Sequence, residues 1–188
     1  GPLGITSMLR DQAQIYMDIY DNPDAVKQAV NVINQTLMDY CDALIETGVH
    51  AIMLDTLFAS RTIMSKEMWM EFEGQFVKKL AKHIHDKGAM VMIHNCGEGV
   101  YFDVQIETMQ PEAISFLHTP DDCDSFSDTK SKYGKKTTLI GTVDPTWLPY
   151  ATPKQVKQEC VKQINTFAKD GGYILATGCE YPANLSLD

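Results

Sequence analysis

Histidine and cysteine two residues apart, at His94 and Cys96, are the pair in this sequence most suited to chemistry. They close an apolar run, residues 89–93, that reads as a buried strand and turns at Gly97. Side chains alternate along a strand, so His94 and Cys96 point one way and Asn95 the other. Their Cα atoms then lie about 6–7 Å apart, a span from which imidazole and thiolate converge on one metal ion. A third soft donor, Cys179, ends a second apolar segment, ILATGC (174–179). Thiolate and imidazole are donors that zinc favours. Ligands so far apart in sequence exclude a compact zinc finger. They suit an open site with three protein ligands and a position left for substrate. Zinc in such a site accepts an incoming thiol and holds it as the nucleophilic thiolate. Spacing alone leaves a metal-free reading open, with a satisfied histidine and buried structural cysteines.

The elements that must position these residues follow from periodicity. Residues 6–20 are weakly helical. Asn22 and Pro23 then start a helix whose buried face is Val26, Val30, Ile33, Leu37, Cys41 and Leu44, ended by Gly48. Residues 49–55 form a strand ending on Asp55. A helix from Ser65 carries Met68, Phe72, Phe76, Leu80 and Ile84 to its stop at Gly88. His83 and His85 lie near its C-terminus, where cations are stabilised. After the His94 strand come a helix at about 99–109 and a strand at 113–117 ending on His118. A polar, acidic stretch follows at 120–136, with a short helix. Next is a strand at 138–143 ending on Asp144. Thr152, Pro153 and Gln155 form a capping box. The helix it opens buries Val156, Cys160, Ile164 and Phe167, and Gly171-Gly172 stops it before a last strand at 173–176. Strand–helix alternation implies a parallel sheet with crossover helices, whose C-terminal strand ends gather at one face. An incomplete (β/α)₈ barrel is the expected α/β architecture, in one domain over residues 1–188. A doubly wound sheet is the alternative, with no Gly-x-Gly-x-x-Gly loop to support it.

Composition bounds the partners. With 44% apolar and 22% charged residues and a formal net charge of −9, the chain fits neither nucleic acid nor an anionic membrane as partner. No apolar run approaches the roughly 18 residues a bilayer span needs, and no secretory leader is read. Five cysteines without tight spacing argue against a disulfide framework and for a reducing, cytoplasmic setting. The opening GPLG reads either as native sequence or as the scar of tag removal.

The stretches HNCG (94–97), GTVDP (141–145) and GCEYP (178–182) resemble the uroporphyrinogen decarboxylase superfamily. Within it they are most similar to the methylcobamide:thiol methyltransferases, of which the coenzyme M methyltransferases are the best known. GPLGITSMLR (1–10) is similar to a mid-chain segment of that family, and residues 55–72 resemble the stretch after it. The resemblance implies the C-terminal five to six βα units of a (β/α)₈ barrel, with the N-terminal part missing. Family members usually continue past residues 184–188. It also implies His94, Cys96 and Cys179 as metal ligands. Asp55 and Asp144 would face the same cavity, and His118 would be a thiol-side or supporting group. Glu180 would orient a ligand or cap a turn, and Cys123 and Cys160 would be structural. The implied cofactor is zinc. The implied partners are a methylated corrinoid as methyl donor, a corrinoid protein that presents it, and a small thiol. An open barrel would self-associate. The decarboxylases lack these thiols, so decarboxylation is not the expected activity. The alternatives are methyl transfer from an ether or methylamine to the corrinoid, and an inactive tetrapyrrole-binding relative.

Overall fold

A computed structural model describes residues 1–183, so the expectation on residues 184–188 lies outside the described residues. The chain opens with three helices, α1 (Pro2–Arg10), α2 (Gln12–Asp21) and α3 (Pro23–Glu46). The weak helical signal of residues 6–20 is thus two helices with a break between them. At the break Asp11 takes a positive φ of 106° and its carboxylate accepts from the Ala13 and Gln14 amides, capping α2. The GPLG segment lies at the start of α1, and Leu3 is buried in the core. Asn22 occupies the position before α3, but its side chain makes no capping hydrogen bond.

Then the alternation begins. Strand β1 (Ala51–Asp55) leads to α4 (Lys66–Trp69), a π-helical turn (Met70–Gly74) and α5 (Gln75–Asp86). Ser65 caps this run by accepting from the Met68 amide at 3.2 Å. The π turn puts Trp69, Phe72 and Glu73 inside together with Phe76 and Leu80. Strand β2 (Met90–Asn95), α6 (Phe102–Met109), β3 (Ala113–Phe116), α7 (Phe126–Tyr133), β4 (Thr138–Val143), a 3₁₀ turn (Leu148–Tyr150), α8 (Pro153–Phe167) and β5 (Tyr173–Thr177) complete it. The capping box at Thr152 and Gln155 forms as expected.

All pairings are parallel and the strand order is β1-β2-β3-β4-β5. A doubly wound sheet reverses direction at a switch point; here each strand simply adds beside the last, as in a barrel. Ile52, Leu54, Val91, Ile93, Ile114, Phe116 and Leu139 are buried among the helices. The opposite, concave face leaves Met53 49%, Met90 45% and Ile174 50% exposed. A partial (β/α)₈ barrel has this form: one helix-covered face and one face that would line the lumen. Edge-to-face contacts tie the ends together. Phe116 of β3 meets Phe102 of α6 at 5.1 Å and Phe167 of α8 at 6.0 Å, while Phe167 stacks on Tyr173 of β5 at 5.0 Å. Such pairs each add about 0.5–1.5 kcal/mol beyond buried area. No helix among the described residues is long and apolar enough to cross a membrane.

Candidate metal centre

The strand ends deliver the donors. Register pairs Asp55 of β1 with His94 of β2, and His94 with Ser115 of β3, so all three stand at one level of the sheet. The His94 Nδ1 atom lies 3.0 Å from the Ser115 hydroxyl. With Nδ1 engaged there, Nε2 is left to ligate. Asn95 points the other way and is fully buried, as alternation requires. Its amide donates to the Thr56 carbonyl at 2.7 Å, and its Oδ1 accepts from the Gly97 amide at 2.9 Å. Asn95 therefore ties the β1 loop to the turn that carries Cys96. On the far side, the Gly178 amide donates to the Val143 carbonyl at 2.8 Å, and the Thr177 hydroxyl donates to the Cys179 carbonyl at 2.7 Å. A Cβ at Gly178 would stand 2.7 Å from the Leu117 Cα, so only glycine lets the turn after β5 pass this close to the segment after β3.

The ligand atoms of His94, Cys96 and Cys179 all lie within 4.8 Å of one another, and each residue is partly buried. Zinc bonds of about 2.0–2.3 Å place tetrahedral donors within such separations, so the three residues fit zinc in both spacing and donor type. Burial, and then the neighbouring Cys179 thiol, push the Cys96 thiol up to about 11, with the Asp55 charge adding to the rise. By itself the Cys96 thiol would stay protonated at neutral pH, and a bound cation would reverse that preference.

Asp55 thus acts electrostatically on the three-donor cluster. His118 and Asp144 stand together elsewhere. They line a neighbouring cavity of about 350 Å³ between the β3 and β4 ends and helices α7 and α8. The Thr146 hydroxyl and amide both donate to Asp144 Oδ1, at 2.7 and 2.8 Å, and hold its carboxyl below the usual range. Glu180 is exposed at the rim. Cys41 and Cys123 are buried and Cys160 is half-buried; all five cysteines are free. His83 pairs with Asp42 at 2.7 Å and His85 with Glu112 at 3.2 Å, on the surface. A second close group, Asp103, Asp121 and Asp122, is already matched by cations: Lys66 reaches Asp103 at 2.8 Å and Asp121 at 3.4 Å, and Lys132 reaches Asp122 at 2.6 Å. Ser115 was not among the expected site residues. Its signal was a lone hydroxyl inside the apolar strand AISF, on the same face as His94.

With this geometry in view, the comparisons assign the family. A model of the uroporphyrinogen decarboxylase (URO-D) family matches residues 1–188, and the chain belongs to that family. It is similar to the uroporphyrinogen decarboxylase of Ruthia magnifica subsp. Calyptogena magnifica, 23% identical over 164 residues, which are 85% of this chain and 45% of that protein. The decarboxylase of Hydrogenovibrio crunogenus is 24% identical over 168 residues, 88% of this chain and 46% of that protein. Among solved structures, a methyltransferase from Methanosarcina mazei superposes with a TM-score of 0.76 at 22% identity, covering 96% of this chain and 51% of that one. That likeness establishes the shared barrel fold. The chain spans about half the length of the curated relatives it matches.

Proposed function

We propose that this chain carries the zinc half of a methyltransferase site, which moves a methyl group from a methylated corrinoid to a small thiol. The convergence of two thiols and one imidazole within 4.8 Å at two strand ends, those of β2 and β5, is the observation that carries this reading. His94, Cys96 and Cys179 would hold the ion, with Ser115 setting the imidazole's orientation. A zinc ion there would supply the acidity that turns an incoming thiol, ordinarily protonated near neutral pH, into thiolate. The thiolate lone pair forms the new sulfur–carbon bond. The carbon–cobalt bond breaks with its electron pair going to cobalt, which falls from Co(III) to Co(I). The chain's part is to align the attacking sulfur with that bond and to keep the negative charge of Asp55 nearby. A separate corrinoid protein would present the cofactor, and the free cysteines suit a cytoplasmic setting.

The test is thiol-dependent demethylation of methylcobalamin, with cobalt(I) followed anaerobically by its absorption and the thioether quantified. His94→Ala, Cys96→Ala and Cys179→Ala should each abolish the rate while leaving the circular dichroism spectrum unchanged. Methylation of cobalt(I) by an ether or methylamine, with no response to thiols, would establish the reverse direction instead. The matched relatives are decarboxylases, so uroporphyrinogen is the control substrate. Its decarboxylation by the three alanine variants would overturn the proposal.

A further inference from the structure

We infer that the cavity between β4 and α8 is a recognition site for a small organic cation, a molecule bearing an ammonium group. Two carboxylates from different elements line it: Asp144 at the end of β4 and Glu159 on α8. Both are held in place. Asp144 Oδ1 takes both Thr146 donors, and among the described residues no hydrogen bond occupies Oδ2, which can accept from a ligand. The Thr142 hydroxyl donates to Gln163 Oε1 at 2.8 Å, and Gln163 Nε2 donates to Glu159 Oε1 at 2.6 Å. Gln163 is only 2% exposed, so this relay fixes the Glu159 carboxylate from inside the protein. Lys162, the only cation bonded to Glu159 among the described residues, is 3.3 Å away with a side chain 69% exposed. A lysine so exposed is screened and neutralises little.

The remaining walls decide between kinds of cation. Phe126 and Trp147 supply aromatic surface, and His118 is the one imidazole. A hydrated magnesium or calcium ion wants a shell of oxygens and water. Aromatic faces instead favour an alkylated ammonium, which trades its weak hydration for the ring quadrupole. Two fixed carboxylates disfavour carboxylate, phosphate or sulfonate ligands. The inference does not rest on methyl transfer, since none of the three metal-site donors lines this cavity.

The chain has two tryptophans, and Trp69 is fully buried. A change in fluorescence on binding therefore reports Trp147. The full chain is titrated with tetramethylammonium and with ethylammonium chloride at constant ionic strength, by fluorescence and by calorimetry. Sodium propionate and magnesium chloride are the comparators. Saturable binding of the ammonium salts is expected, equal before and after chelator treatment. Glu159→Gln should weaken ethylammonium binding about tenfold or more, the scale of a charge-assisted hydrogen bond, and tetramethylammonium, which has no N–H to donate, should lose less. Trp147→Leu, followed by calorimetry, should weaken it about threefold, the scale of one cation–π contact. No saturable binding of either ammonium salt, stronger binding of propionate or magnesium, or unchanged affinity in Glu159→Gln would each overturn the inference.

Discussion

At the residue scale, the site depends on who holds the holders. On the proposed zinc site, removing Cys179 would delete a ligand, while removing Cys123, buried in another part of the chain, would delete none. Cys179→Ala should therefore lose metal in a dialysis and metal-analysis experiment, and Cys123→Ala should retain it. Ser115 offers a finer test. Partners of ligating histidines fix the tautomer and ring orientation, and their loss costs about 10- to 100-fold in metal affinity. Ser115→Ala should fall in that range in a competition titration with a chelator, and Ser115→Thr, which keeps the hydroxyl, should recover most of the loss. Equal affinity in wild type and Ser115→Ala would remove Ser115 from the site.

At the element scale, two close approaches set the geometry. Gly178 lets the end of β5 lie against Leu117 after β3. Gly178→Ala pushes the turn after β5 away from Leu117, at a cost of about 1–3 kcal/mol for overpacking, and moves Cys179 away from His94 and Cys96. It should weaken zinc binding with every ligand still present. Glu73, in the π turn, is the second. Fully buried, it accepts from the Trp69 indole at 2.9 Å and from the Leu3 amide at 3.2 Å, and so fastens α1 to the α4–α5 run. Burial raises its carboxyl above the ordinary range, against the opposing Gly1 ammonium and these donors. The folded chain then holds the proton where the unfolded chain has lost it. Stability is lost as pH rises from the ordinary carboxyl range through the folded value. Urea melts across that window should show the slope in wild type and its disappearance in Glu73→Gln. Glu73→Ala should cost about 1–3 kcal/mol, since it leaves two buried donors unpaired.

For the whole molecule, the open sheet dominates. Among the described residues, β1 and β5 each have one unpaired edge, and the concave face exposes Met53, Met90 and Ile174. Unpaired edges and contiguous apolar surface both promote association. The 188-residue chain should therefore associate with rising concentration in sedimentation velocity. Met53→Lys with Ile174→Lys should shift it toward monomer. A wild-type chain that stays monomeric at high concentration, with an unchanged cooperative melt, would count against this expectation.

Local patterns determined much of this protein by themselves. Apolar runs marked the strands, and apolar residues at spacings of three and four marked most of the helices, because burial leaves its trace in residue type whatever the partner. The strand ends at Asp55, His94, His118, Asp144 and Cys179 were legible for the same reason. Tertiary structure decided the rest. A strand end says nothing about which neighbour it meets: register put Ser115 beside His94, and a glycine contact brought Cys179 to the same point. His118 and Asp144, equal candidates in sequence, were drawn instead into a cavity walled by α7 and α8. The break at Asp11 and the π turn with its buried Glu73 also escaped the pattern, since each rests on a polar side chain whose hydrogen-bond partners only the folded backbone supplies.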